Sequence, residues 1–210
     1  MTMEFQSASP SIVKSVKQRD LLNAWLRLHD NNPQLALTDY APDRLCDEKR
    51  DLVYYKVVAT ATGPRFMINS EGSRLALGYG NVNPGNKGTW LDEYLEPEML
   101  PMVLPVYVEC TQRRLPVYTI TQFDDVRGQT IDYERLAMPF FDDGGVSDIV
   151  MSAKLISEAS RFELNNLFRI RDKLPVPTIR AVIDPEFTPS SIRRQRKTDA
   201  SDPLVDIVEI

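Results

Sequence analysis

The sequence predicts an α+β protein built on one antiparallel sheet with helices packed against it. Two patterns carry this prediction. Five segments are rich in β-branched and aromatic residues, or alternate between apolar and polar residues, as strands do. Before and between them lie stretches whose apolar residues recur at helical spacing, which favours amphipathic helices that bury one side.

The last three strands are predicted at residues 116–124, 129–140 and 146–155, where they form a meander. Each connection contains an acidic pair followed by glycine, and such sequences favour tight turns. The middle strand alternates between two sets of side chains. One face carries Leu136, Met138 and Phe140, and the other carries Tyr133, Arg135 and Ala137.

A helix is predicted over residues 16–29, and Asn31-Asn32-Pro33 ends it. The apolar stripe of this helix has to lie on something apolar, so it either covers the sheet of the same chain or pairs with a second copy. We take a homodimer through this helix as a prediction to be tested. The stripe consists of Leu21, Leu22, Trp25 and Leu28.

An earlier hairpin completes the five strands, with strands at 52–60 and 65–69. The segments that follow it are a helix-compatible stretch at 70–77, a glycine-rich loop at 78–88 and a helical turn at 90–95. A longer helix is predicted over 97–113. Pro105 lies in the interior of that helix and is expected to kink it.

Composition limits the class of protein. The 210 residues are 42% hydrophobic, which suffices for a core, and the formal net charge of -5 argues against binding to nucleic acid or membrane surfaces. The first residues lack the basic start and apolar run of a signal peptide, and no apolar stretch is long enough to span a bilayer. Cys46 and Cys110 lack metal-ligand spacing and are consistent with reduced thiols. We therefore expect a soluble, cytoplasmic protein.

Three motifs stand out within this order of elements. They are Arg65-Phe66-Met67-Ile68-Asn69 leading into Gly72-Ser73-Arg74-Leu75, then Trp90-Leu91-Asp92-Glu93-Tyr94-Leu95, and above all Asp132-Tyr133-Glu134-Arg135-Leu136-Ala137-Met138-Pro139. The motifs and the element order resemble the PAS domain, a five-stranded antiparallel sheet interrupted after its second strand by small helices and one connecting helix. More narrowly, the chain is similar to small stand-alone bacterial PAS proteins with a Tyr-Glu-Arg-Leu strand motif.

The resemblance divides the chain into four parts. These are a flexible N-terminus at 1–15, the amphipathic helix at 16–33, a PAS-like domain at 34–156 and a C-terminal extension at 157–210. Within the extension, a helix over 157–171, a proline-rich stretch, a basic run at 193–197 and a strand-like end at 204–210 are predicted. The end of the chain has the composition of a strand that adds to a sheet edge.

The resemblance implies sensing or signal relay through regulated contact with another protein, without an effector domain or catalysis. A first alternative is a sensor that binds a small apolar or anionic metabolite between the sheet and the connecting helix. The default expectation is that the residues of this region fill a core. The candidates are Met67, Leu75, Tyr79, Leu100, Val103, Leu104, Tyr107, Leu136, Met138, Ile149 and Met151.

No cofactor is expected. Haem in such domains needs an axial ligand, usually a histidine, near the connecting helix, whereas His29 lies on the N-terminal helix and is expected to face solvent. The cysteine motif of flavin-binding LOV domains does not match the surroundings of Cys110. Arg65, Arg74 and Arg135 are candidates for clamping an anionic ligand, with pairing to neighbouring carboxylates as the alternative.

A second alternative, of another class, is a small α+β enzyme. Asp132 and Glu134 share a strand face, and paired carboxylates are able to act as acid and base. No histidine lies in the domain, and acidic pairs before glycine are ordinary turn formers. We therefore predict no catalysis, no metal site, and neither nucleic acid nor membrane as a partner.

Overall fold

The computed structural model of the protein describes residues 4–80, 87–125, 127–157, 164–168 and 174–187. The strands are β1 (Gln6–Ala8), β2 (Leu52–Thr60), β3 (Gly63–Glu71), β4 (Val117–Asp124), β5 (Thr130–Asp142), β6 (Gly145–Ile156) and β7 (Val176–Ile183). The helices are α1 (Val16–Asn31), α2 (Arg44–Glu48), α3 (Ser73–Gly78), α4 (Leu91–Tyr94) and α5 (Leu100–Arg113). Short 3-10 turns occur at Pro10–Ile12, Leu37–Asp39 and Lys49–Asp51.

The described strands form one mixed sheet in the order β1-β7-β4-β5-β6-β2-β3. The α+β class is confirmed, but the expectation of five antiparallel strands is wrong, because the sheet has seven and β1 runs parallel to β7. The five predicted strands are consecutive neighbours and are antiparallel to one another. Helices α3, α4 and α5 all lie between β3 and β4 in the chain.

The meander of β4, β5 and β6 is closed by the two acidic turns. Asp125 Oδ1 accepts hydrogen bonds from the backbone N–H groups of Arg127 and Gln129 at 2.8 and 2.9 Å. Gly145 has a φ of 128°, in the region that an L side chain rarely adopts, so glycine lets the chain enter β6 without strain. Asp125 and Gly145, which the sequence predicts as turn residues, therefore do form the turns of the meander.

Both faces of the sheet are covered, which gives two cores. The α1-side core contains Leu22, Trp25, Tyr118, Leu136, Met138 and Val150, among others. The α5-side core contains Tyr55, Val103, Tyr107, Tyr133, Ile149 and Met151, among others. Successive residues of the central strands point alternately into the two cores, so those strands are buried on both sides.

Helix α1 lies on its own sheet. Ser15 caps it by accepting a hydrogen bond from the backbone N–H of Gln18, and Trp25 Nε1 donates to the Pro139 carbonyl at 2.8 Å. Leu21, Leu22 and Trp25 are completely buried within the chain, which corrects the prediction of a dimer interface, because these side chains are not accessible to a second copy. Leu28 packs at the border of the same core.

Helix α5 begins at Leu100, three residues later than predicted, and it continues through Pro105. Proline has no N–H, so the carbonyl one turn earlier loses its intrahelical partner. The helix ends at Arg113, and the C-cap residue Arg114 has a left-handed φ of 58°. Its buried side chains, Val103, Val106, Tyr107 and Cys110, face the sheet.

The C-terminal part differs from the prediction. Residues 165–168 form turns instead of helix, and the remainder of the helix predicted over 157–171 lies mostly outside the described residues. Strand β7 was not predicted. The basic run at 193–197 and the strand-like end at 204–210 also lie outside the described residues. Within the described part of the chain, no helix has the length and apolar character needed to cross a bilayer.

Candidate functional site

Four tyrosines converge between the sheet and the helices of the α5 side. The hydroxyl of Tyr107 on α5 donates to that of Tyr55 on β2 at 3.2 Å. Tyr79, which follows α3, and Tyr133 on β5 both pack against Phe168, with ring centroids 4.7 and 4.6 Å apart. Burial raises the pKa of all four hydroxyls, so they stay protonated.

Arg135 on β5 extends the polar character of this core. Its side chain is 3% exposed, its Nη2 donates to Thr121 Oγ1 at 3.4 Å, and its guanidinium carbon lies 5.3 Å from the centroid of the Tyr133 ring. Its Nε atom is buried without a hydrogen-bond partner. Within the described residues, no carboxylate forms an ion pair with Arg135. Arg135 is therefore a buried cation without a direct ion pair to those residues.

The register places a second arginine close to the first. Thr119 on β4 is directly opposite Arg135 on one side and Arg180 of β7 on the other. Directly paired residues point to the same face, so all three belong to the α5 side. Thr119 is 1% exposed, and its hydroxyl has no hydrogen-bond partner. Arg180 Nη2 donates to the Met102 carbonyl at 3.2 Å, and burial together with the charge of Arg135 lowers the pKa of Arg180.

Most predicted pocket residues do lie together. Those in or against the α5-side core are Leu75, Tyr79, Leu100, Val103, Leu104, Tyr107, Ile149 and Met151. Leu136 and Met138 are instead in the α1-side core, where the Tyr40 hydroxyl is 3.7 Å from Met138 Sδ. The alternation of side chains along β5 was predicted correctly. However, α5 covers the strand face that carries Arg135, and α1 covers the face that carries Leu136.

Met67 is the third predicted pocket residue that the structure does not place in the α5-side core. Its neighbours in β3, Phe66 and Ile68, are buried in that core, so Met67 points to the other face of the strand. It is half-buried and forms an isolated bridge with Trp90. Met67 is therefore corrected from a pocket residue to a residue near the sheet edge.

The three candidate arginines do not form one clamp. Arg65 binds Asp92 and Glu93 at 2.9 and 3.0 Å, and Arg74 binds Asp51 at 3.2 Å. The pairs of Arg65 lie at the surface, where ion pairs contribute little to stability, whereas the partner of Arg74, Asp51, is a buried carboxylate. Arg135 alone among the three is buried inside the domain.

The α1-side core also contains buried charge, but there it is compensated. Lys154 on β6 is hydrogen-bonded to Glu48 and, at 2.7 Å, to Asp51, and Lys17 reaches Glu48 at 2.9 Å. Hydrogen bonds from the two lysines lower the pKa of Glu48, although burial acts in the opposite direction as the largest single cause. This network joins α1, α2 and β6 and explains how Glu48 is tolerated at 1% exposure.

An open groove of about 510 Å³ lies on the surface near α2. Leu52 and Tyr54 of β2 line it together with Cys46, and Lys49 and Arg50 supply positive charge. Cys46 is an exposed free thiol, whereas Cys110 is a buried one whose pKa burial raises. The groove opens at the start of β2, away from Arg135.

His29 is only half-buried, but it does not simply face solvent. Its ring stacks on Trp25 with centroids 4.3 Å apart, and burial followed by the charge of Arg114 lowers its pKa.

Among the described residues, no group of three or more histidine, cysteine or acidic side chains has an arrangement that would hold a metal ion. Asp132 accepts a hydrogen bond from Gln122 Nε2 at 3.0 Å.

The sequence prediction missed Thr119, Thr121, Arg180, Tyr55 and Tyr133 as members of this interior. A signal for two of them was present. Threonines alternate with Val117 and Phe123 on one face of β4, and a polar residue at a core position of a central strand requires a partner. Because Arg180 belongs to an unpredicted strand, no pattern in the sequence places it beside Arg135.

The chain matches no protein family, no curated protein and no solved structure in the comparisons. The structural class of this molecule is therefore described from its fold and its candidate site alone. It is an α+β domain with a mixed sheet covered on both faces, and tyrosines and arginines converge within one of its two cores.

Proposed function

We propose that this protein is a PAS-like sensor that binds a small molecule between the sheet and α5 and relays its occupancy through contact with another protein. The observation that carries the proposal is the convergence of tyrosine hydroxyls and a buried guanidinium within an apolar core. Ligand sites are mostly apolar with a few polar groups that fix orientation. The insertion of α3, α4 and α5 between the second and third strands of the antiparallel body supports the PAS-like assignment.

The alternative in which the same fold acts by protein contact alone, with a filled interior, also has an observation in its favour. Phe168 packs against Tyr79, Phe123 and Tyr133, with ring centroids 4.6 to 5.4 Å apart. These aromatic side chains occupy space that a ligand would need. The two candidates therefore differ in whether the purified protein holds a small molecule.

Native mass spectrometry of freshly purified protein, with a denatured sample for comparison, tests the proposal. We expect a bound small molecule that is released on denaturation. Tyr107→Phe removes a hydroxyl of the proposed site and should raise the dissociation constant about tenfold, the effect of one lost hydrogen bond in a buried site, and so lower the bound fraction. Tyr54→Phe is the matched control, because Tyr54 lines the groove on the other face and should leave the bound fraction unchanged.

A clean unliganded mass in the wild-type protein, together with no ligand-dependent change in stability, would contradict the sensor proposal. That result would favour the contact-only alternative. Equal loss of bound ligand in both tyrosine variants would place the ligand elsewhere and would also contradict the proposed site.

A further inference from the structure

The open groove near α2, the α2 groove, combines apolar surface with positive charge. The buried Leu52 and the half-buried Leu45 and Tyr54 line it from β2 and α2. Lys49 and Arg50 line it as well, from the 3-10 turn that connects α2 to β2, and both side chains are exposed. The α2 groove therefore offers contacts to aliphatic side chains and to carboxylates within one concave surface.

No acidic neighbour compensates the two cations of the α2 groove. Within the described residues, neither Lys49 nor Arg50 forms an ion pair. The acidic side chain that lines the groove, Glu71, accepts a hydrogen bond from the Tyr94 hydroxyl at 2.8 Å. In a protein with a formal net charge of -5, two adjacent cations beside apolar surface favour an occupant that is both acidic and apolar.

The chain itself contains such a segment at residues 204–210. Its sequence, Leu-Val-Asp-Ile-Val-Glu-Ile, has five aliphatic side chains, with Asp206 and Glu209 among them. No lysine or arginine follows Lys197, so the segment and the residues just before it carry only negative charge. The basic run at 193–197 has the opposite sign and does not complement the α2 groove.

The chain is long enough to bring this segment to the α2 groove. Strands β7 and β2 are four strand spacings apart in the sheet, about 19 Å at about 4.8 Å each. Residues 188–203 can span at most roughly 50 Å at about 3.3 Å per residue, which allows for a path around α1. A covalent tether of this kind gives the segment an effective concentration of about 1 mM at the groove, so a weak contact is populated.

We propose that residues 204–210 bind in the α2 groove of the same chain. Their aliphatic side chains pack on Leu52 and Tyr54, and their two carboxylates pair with Lys49 and Arg50. The buried apolar surface supplies most of the affinity, and the charges fix the orientation. A partner protein with the same acidic and apolar character has to displace this segment to reach the groove. The inference is independent of the proposed sensor site, which lies on the α5 side of the sheet.

The thiol of Cys46 reports whether the α2 groove is occupied, because it is exposed and lines the groove. The whole chain is treated with N-ethylmaleimide, and peptide mass spectrometry follows Cys46 separately from the buried Cys110. A bound segment covers Cys46, so labelling requires the segment to leave. With an effective concentration of about 1 mM and a dissociation constant of about 0.1 mM, wild type should label about tenfold more slowly than a variant whose segment does not bind.

Charge reversal on the segment is the first test. Asp206→Lys combined with Glu209→Lys should raise the labelling rate of Cys46 about tenfold. Asp199→Lys combined with Asp202→Lys is the matched control, because it makes the same change of net charge outside the segment. At physiological ionic strength this control should leave the rate within about twofold of wild type, since exposed charges at a distance are screened.

Charge reversal in the α2 groove completes a double-mutant cycle. Lys49→Glu combined with Arg50→Glu also changes the surroundings of the Cys46 thiol, so this variant is compared with the chain that carries both reversals. The chain with both reversals should label about tenfold more slowly than the groove variant alone, because opposite charges meet again.

The inference is overturned if Cys46 is labelled at the same rate in wild type and in the segment variant, or if the matched control accelerates labelling equally. It is also overturned if the two reversals together restore no protection. Protection that rises with protein concentration would assign the segment to the groove of a second copy, which contradicts the contact within one chain.

Discussion

Two buried carboxylates on the α1 side of the sheet have pKa values shifted in opposite directions. Glu134 is 1% exposed, and its Oε2 accepts a hydrogen bond from the Ser15 backbone N–H at 3.3 Å. Burial raises its pKa above the ordinary value of 4.5, so the folded state disfavours its charged form. Glu48, paired with Lys17 and Lys154, has a lowered pKa because the two lysines outweigh its burial.

The two groups therefore contribute to stability with opposite dependence on pH. The contribution of Glu134 is present below its unfolded pKa and is lost as pH rises through its raised folded pKa. The contribution of Glu48 is present above its unfolded pKa and is lost as pH falls through its lowered folded pKa. We expect Glu134→Gln to stabilise the protein at neutral pH, and Glu48→Gln to destabilise it there by about 3 kcal/mol, since it leaves Lys154 with a weakened partner.

Urea unfolding from neutral to acidic pH measures both effects. For Glu134→Gln the difference from wild type should shrink as the pH falls through the raised folded pKa and be lost below the ordinary value of 4.5. For Glu48→Gln the difference should persist at 4.5 and shrink only as the pH falls further, through the lowered folded pKa. If Glu134→Gln is less stable than wild type at neutral pH, burial does not dominate the energetics of that carboxylate.

Helix α1 is held by direct packing on the sheet. Leu22 is completely buried, whereas the adjacent Asn23 is exposed on the opposite side of the same turn. We expect Leu22→Ala to reduce the free energy of unfolding by about 2–5 kcal/mol, the usual cost of a cavity. Asn23→Ala should change it by less than about 0.5 kcal/mol. Light scattering on both variants completes the test. If Leu22→Ala dissociates a dimer and leaves the free energy of unfolding unchanged, the packing of α1 on its own sheet is contradicted.

The elements that the sequence predicted best are those with a simple period. The predicted bounds of β2 coincide with the observed Leu52–Thr60 because its residues alternate along their whole length. Strand β7 escaped prediction because Pro175 and Pro177 indicate extended, helix-hostile sequence but are unfavourable within a sheet. Pro177 is tolerated because it lies where the register between β7 and β4 shifts. On the other side of β7, β1 pairs only with Ala181–Ile183, so the part of β7 that contains Pro177 is a sheet edge.

The candidate site was predicted only in part, for a related reason. Alternation identifies which residues share a face, but it does not say which helix covers that face when both faces are buried. Leu136 and Met138 were therefore placed beside α5, and Arg135 was left outside the pocket. The pairing of Thr119 with Arg180 depends on strands about 60 residues apart in the chain, and no local pattern encodes such contacts.

At the scale of the whole molecule, the two cores are not independent. Strand β5 supplies Tyr133 and Ala137 to the α5-side core and Leu136 and Met138 to the α1-side core. Loss of one core therefore exposes the strands that complete the other. The described part of the chain is expected to unfold as one cooperative unit.

A variant carrying Trp90→Phe and Cys46→Ser tests this expectation. Trp25 fluorescence then reports the α1-side core, and labelling of the buried Cys110 thiol reports the α5-side core. We expect the two urea midpoints to coincide. Separate midpoints would show that one face of the sheet can open while the other stays folded, and would contradict the shared-sheet argument.

The two outer strands of the sheet also decide how the molecule is best attached to a sensor chip. Strands β1 and β3 are at opposite edges, about 29 Å apart for six strand spacings. A biotin on Ser7→Cys, in a Cys46→Ser background, anchors the protein by the β1 edge and holds the β2–β3 hairpin away from the support. A binding protein that adds to the β3 edge then has free access to it, while one that needs the β1 edge is blocked by the surface.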